Sequence, residues 1–256
     1  MRVNRIKQCW QEKKTAINAW LTIPSSWTAE LLAHQGYDSL TIDMQHGLID
    51  YTTALSMLQA ISTTETVPLV RVPWNEPGIL MRILDAGAYG IICPMINNQA
   101  EAEAYVAACR YAPLGMRSYG PSRVVLYAGN DYLIHANDTV LLLAMIETRE
   151  ALENVDEIVS TEGLDGIYLG PADLSLSLGL KKIGDYQEPI MQEAIDRILE
   201  SLRRQRKFGA AHATNPQDAV MLAERGFNMV TPAHDTALLE AGAKQALIQT
   251  RQWLSL

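Results

Sequence analysis

The chain has 256 residues, 48% hydrophobic and 20% charged, with a net charge of −8 and a pI near 5.1. Such a composition belongs to a folded globular protein and excludes a disordered or collagen-like one. The acidic balance disfavours nucleic acids and anionic membranes as partners, and no apolar run approaches the roughly 18 residues of a membrane-spanning helix.

In chain order, the basic N-terminus (Arg2, Arg5, Lys7, Lys13, Lys14) leads into no apolar stretch of signal-peptide type, so no secretory signal is expected. Apolar runs expected as strands follow at 16–22, 39–43, 67–72, 90–95, 140–147, 166–170, 208–213 and 228–232. Several are nearly continuous, as in strands buried on both faces of a parallel sheet. Helical stretches separate them. Thr28, Asn75 and Asn215 stand where N-caps are expected. Ile190, Ala194, Ile198 and Leu202, with Ile195 and Leu199 beside them, make an amphipathic stripe before the seventh strand. Residues 112–139 form one long irregular connection, rich in glycine and tyrosine, of the kind expected of a functional loop or subunit contact. Eight strands each followed by a helix predict a single α/β domain over residues 1–256, a (β/α)8 TIM barrel. The competing open, doubly wound sheet normally carries a glycine-rich first turn; here that turn reads Leu21-Thr-Ile-Pro-Ser-Ser26. Cys9, Cys93 and Cys109 form no CxxC pair and are expected as reduced thiols of a cytoplasmic protein.

A barrel carries its active site at the C-terminal ends of its strands. Those ends hold Asp43-Met-Gln-His46-Gly47, Arg71, Glu147-Thr-Arg149 and Gly170-Pro-Ala-Asp173. Glu147 and Asp173, without a third ligand, suit Mg²⁺ or Mn²⁺, which keep positions open for water and substrate; helix capping is the simpler role for both. His46 is either a general base or a loop histidine. Arg71 lies inside an apolar run, where a charge is costly unless paired, so it holds a structural carboxylate or binds an anion. Asp85, near a helix C-terminus, is either paired with a specific partner or solvated. His34 and His135 are weaker candidates, and His212 and His234 lie near strand ends where they would line the mouth. Neither of the last two strand-end loops, Ala213–Pro216 and Thr231–Asp235, contains glycine, so the usual barrel phosphate site is not expected. No lysine stands at a strand's C-terminal end, which disfavours a Schiff-base mechanism.

The segments Ser39–Gly47, Arg71-Val-Pro-Trp-Asn75, Ile92-Cys-Pro-Met95, Met145-Ile-Glu147-Thr-Arg149-Glu-Ala151 and Tyr168-Leu-Gly-Pro-Ala-Asp-Leu-Ser175 resemble the HpcH/HpaI aldolase family, from about Trp20 to the C-terminal helix. The resemblance implies a barrel that exchanges its last helix between subunits, a homo-oligomer (trimer or hexamer). It implies reversible retro-aldol cleavage of a 4-hydroxy-2-oxo acid, such as a 2-dehydro-3-deoxy sugar acid or 4-hydroxy-2-oxoheptanedioate, to pyruvate and an aldehyde. It further implies Glu147 and Asp173 as ligands of a divalent metal (Mg²⁺, Mn²⁺ or Co²⁺), His46 as base, Asp85 as the acid that raises its basicity, and Arg71 as the enolate stabiliser. The backbone of Gly170, Pro171, Ala172 and Asp173 would hold the pyruvate carboxylate, with Trp20 at the substrate mouth. Two departures stand out. Met145 occupies a position that is usually glutamine and contacts substrate, and a thioether donates no hydrogen bond. The segment Gly115–Arg123 differs from the glycine-richer form and is expected to alter the aldehyde pocket. A lyase acting on CoA thioesters and a non-catalytic barrel that binds oxo acids are the rival readings.

Overall fold

The structure is a computed structural model, and it describes residues 1–213 and 215–254. Helix α1 (Arg5–Gln11) precedes β1 (Ala16–Leu21), α2 (Ser26–Ala33), β2 (Ser39–Asp43), α3 (Tyr51–Ile61), β3 (Val67–Arg71) and α4 (Pro77–Asp85). Then come β4 (Gly90–Cys93), α5 (Gln99–Cys109), α6 (Val124–Ala128), α7 (Tyr132–Thr139), β5 (Leu141–Ile146), α8 (Arg149–Glu153) and α9 (Val155–Ser160). The chain continues through β6 (Gly166–Leu169), α10 (Pro171–Leu178), α11 (Pro189–Gln205), β7 (Phe208–His212), α12 (Pro216–Arg225), β8 (Met229–Thr231) and α13 (Asp235–Leu254).

The strands form a closed barrel in the order β1 to β8. It is sealed where β1 pairs in parallel with β8 through Ala16↔Met229 and Ile17↔Val230. All eight predicted strands are present, and their buried runs reflect helices packed outside and side chains filling the inside. At the N-terminal end of the barrel, α1 acts as a plug: Trp10 stacks on Phe208 with ring centroids 4.0 Å apart and donates its indole N–H to Asn228 O. No helix among the described residues is long and apolar enough to cross a membrane.

Several local expectations shift by a residue or a turn. Ser25, not Thr28, caps α2, its Oγ accepting from Thr28 N at 3.2 Å. Glu76, not Asn75, caps α4, because its longer side chain reaches back to both Gly78 N and Ile79 N at 2.9 Å. Asn75 instead donates to Glu101 O. Asn215 does cap α12, accepting from Asp218 N at 2.9 Å. Thr214, in the loop after β7, lies outside the described residues. On α11 the buried face runs Met191, Ala194, Ile195, Ile198, Leu199, Leu202, which leaves Ile190 40% exposed. The 112–139 connection carries two short helices, α6 and α7.

The last helix departs from the usual arrangement. In α13 only Asp235 is buried. That carboxylate accepts from Thr22 N, Thr22 Oγ1 and Ile23 N at 2.7–3.0 Å, locking the start of α13 to the loop after β1. Beyond it, Leu239, Leu247, Ile248, Trp253 and Leu254 are exposed, and so is Ile17 on β1. The outer face of the β8–β1 seam is thus left partly bare by its own chain.

Glu76→Ala should lower the unfolding free energy by about 1 kcal/mol, the usual value of an N-cap, as read by urea denaturation. Asn75→Ala should cost less, because it leaves the first-turn amides of α4 bonded.

Candidate active site

Side chains alternate along a strand, so residues two apart share a face. Asn18 and Trp20 on β1, Ser39, Thr41 and Asp43 on β2, Arg71 on β3, Met145 and Glu147 at β5, Tyr168 and Gly170 at β6, and His212 on β7 therefore point inward. Their contacts bear this out. Asp43 is the hub. It is 1% exposed and takes the Arg71 guanidinium in a fork, Nε to Oδ1 at 2.9 Å and Nη2 to Oδ2 at 2.6 Å. The same carboxylate accepts the Trp20 indole N–H at 3.1 Å and the backbone amides of Gln45 and His46 at 3.0 and 3.2 Å. One buried acid thus holds the arginine, the tryptophan and the turn that carries His46. Burial pushes the Asp43 carboxyl up, but the bond to Arg71, its charge and the remaining donors outweigh this and leave it below the usual range. The turn itself needs glycine at position 47, because a Cβ there would lie 2.3 Å from Asp43 O.

Glu147 is 1% exposed. Thr148 caps α8, so Glu147 is free of that duty. Its Oε1 accepts from Met95 N at 2.7 Å, and Met95 holds a left-handed backbone with φ 55°, which costs an L residue roughly 1–2 kcal/mol. Burial raises the Glu147 carboxyl above its ordinary value; the Met95 amide and the Arg71 charge oppose this, whereas the Asp173 charge adds to it. Asp173 is exposed in the first turn of α10. Amides in that turn have no intrahelical acceptor and face the cavity with the positive end of the helix dipole. Gly170 lets Glu147 and Met145 approach, since a Cβ there would sit 2.9 Å from Glu147 Oε2 and from the Met145 methyl.

Trp20, His46, Arg71, Met145, Glu147, Tyr168, Gly170, Pro171, Ala172, Asp173 and His212 together line one cavity of about 180 Å³. The site residues expected from the sequence are in it except Asp85 and His234; His234 lines a separate cavity beside the β7 and β8 ends. Asp85 ends α4 at the opposite end of the barrel and pairs with Arg117 at 2.6 Å. Within one chain, then, Asp85 is not brought to His46. Nor does any residue of 112–139 line the cavity, so the Gly115–Arg123 segment does not shape it within the chain. Sequence reasoning named Asp43 and Tyr168 within their segments but gave neither a role in the site. The cost of an unpaired buried Arg71 was the signal for an acid at a neighbouring strand end, and Asp43↔Arg71 is the strand register. A larger cavity of about 640 Å³ lies between α1 and α7, but its Met1 ammonium and Lys7 are already paired with Asp131 and Asp165.

The charge count shows what the cavity would accept. Arg71 is spent on Asp43, and the acids left over are Glu147 and Asp173. No group of three or more His, Cys, Asp or Glu residues is arranged for a metal among the described residues. A two-carboxylate site bearing two net negative charges fits a hard divalent cation that keeps several waters; it does not fit zinc in a closed protein cage.

Fold and site together define a (β/α)8-barrel protein with an acid pair, an arginine and a histidine loop at the C-terminal mouth. The chain belongs to the HpcH/HpaI aldolase/citrate lyase family, whose model matches residues 17–241. It is 44% identical over 250 residues to a hydroxypyruvate/pyruvate aldolase of Rhizorhabdus wittichii, covering 97% of this chain and 99% of the relative. It is 38% identical over 244 residues to a 4-hydroxy-2-oxo-heptane-1,7-dioate aldolase of Klebsiella pneumoniae, covering 94% and 91%. Among solved structures, an HpcH/HpaI aldolase/citrate lyase family protein from Burkholderia cenocepacia superimposes with a TM-score of 0.90 at 32% identity, covering 97% of this chain and all of the other.

Asp43→Ala should destabilise the chain by about 3 kcal/mol or more, because it strands a buried guanidinium; urea unfolding measures this. The pH dependence has a definite sign. Asp43 titrates lower folded than unfolded, so its contribution is complete above the unfolded value and is lost as pH falls through the folded one. The wild type should lose that increment in acid, and the variant should have none to lose.

Proposed function

We propose that the chain is a divalent-metal-dependent lyase that cleaves 4-hydroxy-2-oxo acids to pyruvate and an aldehyde, and runs the reverse addition. The observation that carries this reading is the uncompensated acid pair, Glu147 and Asp173, facing the same small cavity as a paired arginine and a histidine loop. Glu147 and Asp173 hold the cation, Mg²⁺, Mn²⁺ or Co²⁺. When bound it supplies Lewis-acid polarisation of the 2-oxo group. The first-turn amides at Ala172 and Asp173 bind the substrate carboxylate. His46 takes the proton from the C4 hydroxyl, the C3–C4 bond breaks, and the aldehyde departs. Arg71, kept in place by Asp43, stabilises the oxygen that gains charge. Return of a proton to C3 completes pyruvate. Asp85 enters this scheme only by way of a neighbouring subunit.

The same reading makes the protein a cytoplasmic homo-oligomer. The exposed apolar residues of α13 and the bare β8–β1 face fit one another, which supports exchange of the last helix between copies in a trimer or hexamer. The mass in solution, by light scattering, should be a multiple of the 28.4 kDa chain; a 28.4 kDa particle removes the exchange.

Cleavage of 4-hydroxy-2-oxo acids should stop with a chelator and return with Mg²⁺ or Mn²⁺, and borohydride with substrate should trap no covalent adduct. Glu147→Gln should lower kcat by about 10²–10³-fold. A readout independent of turnover is the thermal shift. Glu147 titrates higher folded than unfolded, so its stabilising share is full below the unfolded value and lost as pH rises through the folded one. The cation should therefore raise Tm more near neutral pH than in mild acid, and the rise should vanish in Glu147→Gln. A metal-insensitive Tm across that range would sink the proposal.

A further inference from the structure

The barrel interior carries a buried hydrogen-bond chain that ends on His212. Ser39 Oγ and Thr41 Oγ1 both reach Asn18 Oδ1, at 2.9 and 3.0 Å. Asn18 Nδ2 donates to Thr231 Oγ1 at 2.9 Å, Thr231 Oγ1 lies 2.8 Å from Tyr168 Oη, and Tyr168 Oη lies 3.2 Å from His212 Nδ1. Ser39, Thr41, Asn18, Thr231 and Tyr168 are fully buried, so each proton in the chain must find an acceptor.

That requirement fixes the direction. Thr41 Oγ1 has no other partner among the described residues, so its proton goes to Asn18, and the Asn18 atom facing it is the carbonyl. The Asn18 amide therefore donates to Thr231. The Thr231 proton has only Tyr168 Oη to go to, and the Tyr168 proton has only His212 Nδ1. His212 Nδ1 is then a bare acceptor, and the ring's proton sits on Nε2, which has no partner among the described residues. Burial, with the Arg71 charge and the His234 ring, holds the His212 imidazolium down to about 4, so the ring is neutral at neutral pH.

His212 lines the catalytic cavity and meets Trp20 edge-on, with centroids 5.2 Å apart. It stands on β7, beyond Tyr168 from Glu147. The acid pair and the α10 amides occupy the β5–β6 side, where the keto-acid half belongs under the function proposed above, on which this inference rests. The Trp20–His212 side is left for the other half of the substrate. We infer that His212 Nε2–H is a fixed, neutral hydrogen-bond donor to an oxygen on the carbon next to the aldehyde group, which selects α-hydroxyaldehydes over unsubstituted ones. An apolar aldehyde seated there would cut that donor off from water without pairing it, and sites built to bond a substrate oxygen discriminate by this penalty.

The test compares glycolaldehyde with acetaldehyde as acceptors for pyruvate, in the wild type and in two variants of equal shape, His212→Met and His212→Gln. The ratio of kcat/KM for glycolaldehyde over acetaldehyde should fall about 10-fold in H212M, mostly through KM. H212Q, which keeps an N–H donor, should recover most of the ratio. An equal ratio in all three proteins overturns the inference. Nitrogen-15 NMR of the wild-type histidines supplies a readout that needs no variant to fold: His212 should show protonated Nε2 and bare Nδ1, and the opposite tautomer overturns the assignment. Exchange of the pyruvate methyl protons by the wild type separates the two levels. Its absence with metal present removes the aldolase reading itself, whereas exchange with an unchanged ratio removes only the role of His212.

Discussion

The site rests on one ion pair. Asp43 is buried at the end of β2, and the cost of desolvating it is met by the Arg71 fork, the Trp20 indole and two backbone amides. Such a pair adds little net stability compared with apolar packing, but losing one partner is expensive. Its value here is positional. It sets the guanidinium beneath the Trp20 ring, with 4.9 Å from Cζ to the centroid, and it pins the His46 turn to the strand end. Groups on three strands and one loop are thereby registered against one another before any substrate arrives, which is what a reaction needs if reorganisation is not to be added to its barrier.

The pair also decides the electrostatics of the mouth. Were Arg71 free, it would neutralise Glu147 and the cavity would present close to one negative charge. Because Asp43 engages it, neither Glu147 nor Asp173 has an ion-pair partner of its own, and burial, with the Asp173 charge adding, holds Glu147 above its ordinary value. As built, the cavity carries unbalanced negative charge, which a divalent cation would balance under the proposed function. Below it, the polar layer of Asn18, Ser39, Thr41, Thr231 and Tyr168 replaces the branched apolar packing usual inside such barrels. A buried network of this kind is tolerable because every member is bonded, and it transmits a fixed hydrogen-bond polarity from the middle of the barrel to the rim.

The architecture was legible because it is written in local signals. Continuous apolar runs at regular spacing can be satisfied by few folds, and the strand ends then name the mouth. The gathering of Glu147, Asp173, His46 and Arg71 around one cavity was legible for the same reason. What depends on pairings between strands was not. The sequence poses Arg71 as a charge needing a partner, and only the β2–β3 register supplies Asp43. Tyr168 reads as one more aromatic in a core strand until Thr231 and His212 are seen on either side of its hydroxyl. The capping errors have a simple origin: Ser25 and Glu76 outreach Thr28 and Asn75 by backbone geometry, and no composition rule sees that. Asp85 belongs to the resemblance and not to the chain's own geometry, since α4 runs away from the mouth and delivers its C-terminus to the far end.

Met145 and His212 are best understood together. The family resemblance implies a glutamine, and so a donor, where β5 meets the cavity; this chain has a buried methionine packed toward Gly170. An apolar wall there leaves the keto-acid side to be recognised by charge and by the α10 amides. The opposite wall, on β7, carries an imidazole whose tautomer is set by five buried side chains reaching back to β1 and β2. A hydrogen bond from a donor so held loses little rotamer entropy when it forms, unlike one from a glutamine with three free torsions. Under the inference drawn for His212, polar recognition on the β7 side rests on a group fixed by the barrel interior, while the buried Met145 on β5 supplies no donor.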